Sequence, residues 1–318
     1  MKKMKLFLSL TLALILCAVS LAAAETADPA SLLIGGAVPV TWEVSEDHLM
    51  IDTQEARDLY ERIDNKDYPT LEELKAHPVV AQLDSLSAYY KALYGNTAEI
   101  DTPERAQIRQ DVLNWFLSQG SARTTSVSKK GKHYYAYDGP LKSEYLLELV
   151  LGLPSSGKST EIADPDSEAL GAFILDCDMI KAELPEYKES HGAGADAVHF
   201  EGMLLMKEAL NAFLEGDMKG TNVILPIVAT DLEELLNDYI RPFEAAGYRV
   251  IVKFKGIEPE VSAAKVVRRE LKGGQLINSA VAFSFGTKPE EVYRELAEMP
   301  NPDGIPYGQV SAESEKKD

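Results

Sequence analysis

The chain has 318 residues, of which 51 are acidic and 32 basic, for a formal net charge of −19. So acidic a surface excludes nucleic acid and anionic membrane as partners, because long-range repulsion opposes both. With only two cysteines, Cys17 and Cys177, a disulfide framework is also excluded, and a chain of this length must rely on a hydrophobic core.

Lys2, Lys3 and Lys5 precede the apolar run Leu6 to Leu21, which ends in Ala22-Ala23-Ala24 before Glu25. A basic start, an apolar stretch and small residues before a polar one predict a secretory signal peptide over 1–24, cleaved after Ala24. Cys17 follows Leu16, where a lipoprotein signal wants a small side chain, so the lipidation reading is disfavoured. No other stretch approaches the roughly 18 consecutive apolar residues of a membrane span, and no stable membrane insertion is expected after cleavage. Three lysines and no acids lie in 1–24, so the mature chain carries 29 basic against 51 acidic side chains, a net charge of −22, with Cys177 as its one cysteine. The expected location is secreted or periplasmic.

Residues 25–132 read as a helical N-terminal region. Apolar residues recur at helical spacing in Ala56-Leu59-Tyr60-Ile63 and Leu83-Leu86-Tyr90-Leu93, with turns or helix starts at Tyr68-Pro69-Thr70, Gly95-Asn96 and Asp101-Thr102-Pro103. The polar, basic stretch Ser121 to Lys132 reads as an exposed linker, with phosphate contact as the functional alternative. His133-Tyr134-Tyr135-Ala136-Tyr137 reads as an edge strand leading into the first sheet strand, with base or sugar stacking as the alternative.

Residues 133–299 read as an α/β domain. The apolar run Tyr145 to Leu151 predicts a buried strand, and it delivers Gly152-Leu153-Pro154-Ser155-Ser156-Gly157-Lys158-Ser159-Thr160, a full match to the phosphate-loop pattern. Gly152 and Gly157 allow the backbone N–H groups to turn inward, Lys158 reaches the β/γ-phosphates, and Ser159 is placed to ligate Mg²⁺ at the start of a helix. The alternative, a Gly-rich surface loop, does not account for the preceding strand. Further runs at 172–175, 222–225 and 249–254 alternate with helical patterns, which predicts a phosphate-loop NTPase type of parallel sheet with helices on both faces. The Pro-, Gly- and charge-rich residues 300–318 read as a mobile tail.

After the second strand, Asp176 and Asp178 stand two apart, which points both carboxylates to one side of an extended chain. One would act as general base on a substrate hydroxyl and the other orient Mg²⁺ or its waters; alternatively Asp178 only caps the next helix. His199 and Glu201 do not share a helical face, and no zinc site is supported.

Over about Leu146 to Glu298 the chain resembles the zeta toxin family of phosphate-loop kinases. The likeness lies in Gly152 to Thr160, in Asp176-x-Asp178-x-x-Lys181-x-x-Leu184-Pro185-Glu186-Tyr187, in Gly192 to Ala195 with Val198-His199-x-Glu201, and in Ala246-Gly247-Tyr248-x-Val250. The resemblance implies transfer of the γ-phosphate of ATP, or GTP, with Mg²⁺, to a hydroxyl of a small acceptor, as members do to UDP-N-acetylglucosamine. It implies Asp178 as catalytic base, Lys158 with Arg268 or Arg269 around the phosphate, Asp176, Lys181, His199 and Glu201 toward the substrate, and an antitoxin or other protein partner. Two positions depart: Pro226 stands where members have an acid, and the later arginine falls near Gln275, with Lys272 as a substitute cation. An exported nucleotide-binding module or effector with weak or no transfer is the competing reading.

Overall fold

The computed structural model describes residues 49–118, 126–127, 133–134, 139–273 and 275–310. The signal-peptide expectation and most of the predicted linker lie outside them.

Apolar residues at three- and four-residue spacing build the opening helices. α1 (Gln54–Asp64) is capped by Thr53, which accepts from the Ala56 N–H, and buries Ala56, Leu59 and Ile63. α2 (Leu71–Ala76) opens on a reciprocal cap between Thr70 and Glu73. Pro78 and Pro103 start α3 (Pro78–Tyr94) and α4 (Pro103–Ser118), positions where a missing N–H removes no helical bond. Two short strands, β1 (Ser126–Val127) and β2 (His133–Tyr134), pair with each other antiparallel, so the edge strand expected at His133 does not run into the main sheet.

The main sheet is parallel, in the order β4-β5-β3-β6, from β3 (Leu146–Gly152), β4 (Phe173–Ile174), β5 (Val223–Ile227) and β6 (Arg249–Lys255). Helices α5 (Asp164–Leu170), α6 (Cys177–Glu183), α7 (Pro185–Glu189) and α8 (His199–Leu214) lie between β3 and β5 in sequence. They are followed by α9 (Leu232–Leu235), α10 (Arg241–Ala245), α11 (Pro259–Leu271), α12 (Ser279–Ala282) and α13 (Lys288–Glu298). β3 is buried at every residue, as a central parallel strand requires. Leu147, Leu149 and Leu151 join one core with Phe116 of α4 and Phe213 of α8, while Val150 joins a smaller one with Ile174 and Ile224.

Glu148, with no exposed surface, is the polar exception in β3. Lys253 Nζ sits 2.9 Å from its Oε2 and 2.7 Å from Asp166 Oδ2 on α5. Burial first, then Asp166, raise the Glu148 carboxyl above its ordinary range.

The helices before residue 118 do not form a separate core. Leu59, Ile63 and Leu83 pack with Val266, Val267 and Leu271 of α11, and α4 packs into the sheet core. Residues 300–310 of the expected tail pack onto the domain: Tyr307 is buried, its hydroxyl bonds Glu244 Oε1 at 2.5 Å, and its N–H donates to the Met299 carbonyl.

Pro226 lies inside β5 without breaking the sheet. Phe173 and Leu175 donate to the carbonyls of Asn222 and Ile224, so even-numbered residues of β5 face β4. Strand β4 ends at Ile174, because the next rung of the ladder would take an N–H at 226 to the Leu175 carbonyl and proline has none to give.

Candidate active site

β3 ends directly in the phosphate loop. Gly152 has φ +154°, and a Cβ there would stand 2.6 Å from the Lys255 carbonyl, so the close approach of β6 requires glycine. Gly157, at φ +98°, turns the chain into a π-helical stretch, Lys158–Ala163, that continues into α5. Pro165 explains the wide turn, since it removes an N–H and crowds the carbonyl four residues back. The Asp164 N–H instead reaches the Ser159 carbonyl. Ser262 of α11 donates to the Pro154 carbonyl at 2.7 Å and ties the loop to the far side of the site.

Lys158 Nζ donates to the carbonyls of Gly152 and Leu153 at 2.9 and 2.7 Å. Burial pulls its pKa down to about 8, against the opposing field of Asp176 and Asp178. The hydroxyls of Ser155 and Ser156 are buried with no hydrogen-bond partner. A glycine cradle with unsatisfied hydroxyls and a buried ammonium fits an anionic phosphate chain. Among the described residues no group of three or more His, Cys, Asp or Glu side chains is arranged to hold a metal unaided.

The two aspartates divide their work differently from either sequence alternative. Asp176 is the helix cap, its Oδ1 accepting from the Asp178 N–H at 2.9 Å. Asp178 is therefore free of capping, and its carboxylate is held by Lys181 Nζ at 2.7 Å on Oδ1 and by the Gln275 amide on Oδ2. Its side chain is 48 % exposed, open to an incoming group. Burial would raise the Asp178 carboxyl, but Lys181, then Arg269 and Gln275, outweigh it and hold the group below the usual carboxylate range. Burial and the Asp178 charge push Asp176 the other way. Lys181 can lie so close because Gly202 on α8 leaves the space that a Cβ would fill.

The structure separates the two arginines. Arg268 pairs with Asp64 and lies 4.9 Å from the Tyr60 ring centroid, as does Lys272, so neither is brought to the aspartates. Arg269 lies within the field of Asp178 and Lys158, with Nε and Nη2 buried and unpartnered. The substitute cation expected at Lys272 is thus turned away, and Gln275 itself reaches Asp178.

Among the positions expected on the substrate side, Lys181 is buried with its Nζ on Asp178, and His199 is exposed within the field of Lys181 and Asp178. Glu201 is corrected. It is fully buried and ion-paired to Arg105 and to Arg109 Nε at 2.6 Å, while Arg105 also grips Glu186. This cluster fastens α4 to α7 and α8 and faces away from chemistry, as the unequal helical faces of residues 199 and 201 foreshadow. Tyr187 stands in the field of Asp178, and burial with that charge raises its phenol. Burial pushes the Cys177 thiol up to about 12, away from the nucleophilic thiolate form.

No family model and no curated protein matches the chain. Its structure is similar to one reported for the PezAT chromosomal toxin–antitoxin system of Streptococcus pneumoniae, at 16% identity and a TM-score of 0.42. The match covers 63% of this chain and 74% of that one. A likeness of that degree carries no weight for function, and the chain's resemblance to zeta toxins stands on its own residues.

Proposed function

We propose that the protein is a phosphotransferase that moves the γ-phosphate of ATP or GTP to a hydroxyl of a small acceptor, with a nucleotide sugar such as UDP-N-acetylglucosamine as the acceptor class. The observation that carries the reading is that Lys158, Arg269 with its unpartnered Nε and Nη2, and the doubly held carboxylate of Asp178 lie within one another's field beside the phosphate loop. In this reading Asp178 takes the proton of the acceptor hydroxyl as that oxygen bonds to the γ-phosphorus. The bond from phosphorus to the bridging oxygen breaks, and its electron pair leaves on the nucleoside diphosphate. Lys158 and Arg269 hold the charge that spreads over the transferred oxygens. A Mg²⁺ bound with the nucleotide would take the Ser159 hydroxyl and phosphate oxygens, and would neutralise part of that charge.

Two features favour a second reading, a nucleotide-binding module: β5 carries Pro226 rather than an acid near its end, and Gln275 supplies no charge. Export, proposed from residues 1–24, requires that the nucleotide be met in another compartment or cell, and secreted material should begin at Glu25. A protein partner such as an antitoxin is a further proposal from the resemblance.

The test is a product assay with the purified protein, Mg-ATP or Mg-GTP and a panel of sugar nucleotides. Lys158→Ala should abolish nucleotide binding in calorimetry. Asp178→Asn should lower turnover by about 10² to 10⁴ with nucleotide affinity unchanged, because positioned proton transfer is worth that much and the cap is Asp176. Nucleotide binding without transfer to any acceptor would select the binding module.

A further inference from the structure

Gln275 is almost wholly buried, with 6 % of its surface exposed, yet only half of its amide is satisfied. Nε2 donates to Asp178 Oδ2, whereas Oε1 is buried with no hydrogen-bond partner. An orphaned buried acceptor costs about 1–3 kcal/mol, and a leucine of similar volume would avoid that cost. Nothing in the packing of this side chain requires an amide except its bond to Asp178.

The loop that carries Gln275 is pinned on its downstream side. Leu276 N–H donates to the Gly192 carbonyl at 3.1 Å, and Ile277 N–H to Glu270 Oε1 at 2.8 Å. On the upstream side Gly273 turns the chain at φ +79° immediately after α11. The direction of the Gln275 side chain is therefore set by backbone contacts independent of Asp178.

We infer that Gln275 is the positioning residue of Asp178: its amide fixes one carboxylate oxygen while Lys181 fixes the other, so the carboxylate meets the acceptor hydroxyl in a single orientation. The inference rests on the phosphotransfer reading. It gives the departure at position 275 a purpose, because a neutral donor orients the carboxylate without adding a second cation to compete for its lone pairs. Arg269 is left as the adjacent guanidinium, its buried Nε and Nη2 without a hydrogen-bond partner.

Gln275→Leu tests the inference, measured with Mg-ATP and UDP-N-acetylglucosamine or whichever sugar nucleotide of the panel turns over. Loss of orientation at a reacting group should lower kcat by roughly 10- to 100-fold, with KM for the nucleotide within about twofold. Because the orphaned oxygen disappears, the melting temperature should stay level or rise. In an Asp178→Asn background the same change should have no further effect on kcat, since the two residues act as a unit. Independently of turnover, the Gln275 side-chain amide resonance, identified by its loss in Gln275→Leu, should move in Asp178→Asn. An unchanged kcat, a fall in kcat matched by a fall in melting temperature, or an amide resonance indifferent to Asp178 overturns the assignment. Absence of transfer by the wild type ends the phosphotransfer reading and this role together, and is recognised before any variant is made.

Discussion

Replacing Glu270 by glutamine should change how the protein's stability depends on pH. Glu270 lies in the last turn of α11 beside Arg269 and is 3 % exposed, with Oε1 accepting from the Ile277 N–H. Burial raises its carboxyl from the ordinary 4.5 to about 8, against the smaller opposing pulls of that N–H and Arg269. A glutamic acid whose folded pKa lies above its unfolded one keeps its proton longer in the native state. The native state therefore binds more protons between about pH 4.5 and 8, and stability falls as pH rises through that window. Each pH unit is worth at most about 1.4 kcal/mol, so the whole window is worth on the order of 5 kcal/mol, comparable with the net stability of many domains. Glu270→Gln keeps the acceptor for Ile277 and cannot ionise, so it removes the slope. Urea unfolding of both proteins from pH 5 to 9 should show the variant gaining on the wild type by several kcal/mol, with most of the gain between pH 6 and 8. Parallel curves, separated by less than about 0.5 kcal/mol at every pH, would refute the claim that a proton is held there.

The arginine cluster and the paired arginines of α11 make separate predictions. Arg105→Ala leaves Glu201 buried with only Arg109, and chemical denaturation should report a loss of about 3–5 kcal/mol while nucleotide affinity of the remaining folded protein is retained. Arg269→Ala should lower phosphotransfer by about 10³-fold, as removal of a charge on the transferred phosphoryl does, with the fold intact by circular dichroism. Arg268→Ala removes only a surface ion pair with Asp64 and a contact on Tyr60, so turnover should stay within about twofold and stability within about 1 kcal/mol. Equal losses for the two arginines would contradict the division seen between them.

How much could be read from the chain differs by element. The parallel sheet and phosphate loop were legible, because an apolar run ending in Gly152 and closing on Gly157-Lys158-Ser159 is a local pattern with a local physical cause. Which of Asp176 and Asp178 caps the helix was not, since both sit within reach of the same N–H groups and one backbone turn decides. Arg268 and Arg269 are adjacent in sequence and opposite in destination, and only the placement of α1 with Asp64 and Tyr60 reveals which is diverted. Glu201 joined its neighbour His199 in a motif, yet its partners lie 92 and 96 residues away at Arg109 and Arg105. The contacts of residues 300–310 were not legible, because composition averages over residues and does not show that Tyr307 is buried or that Asn301 and Ile305 close a turn.

The proline in β5 also bears on where the chain leaves the sheet. Leu175 still gives its N–H to the Ile224 carbonyl, and the next rung would need an N–H at 226. Pro226 has none, so the pairing of β4 with β5 stops one residue before Asp176. The residue that stands in place of an acid thus ends a strand where the chain turns to present its two aspartates. A carboxylate at 226 would also restore that N–H, so a search for a more active variant at this position would have to watch for a lengthened β4 as well as turnover.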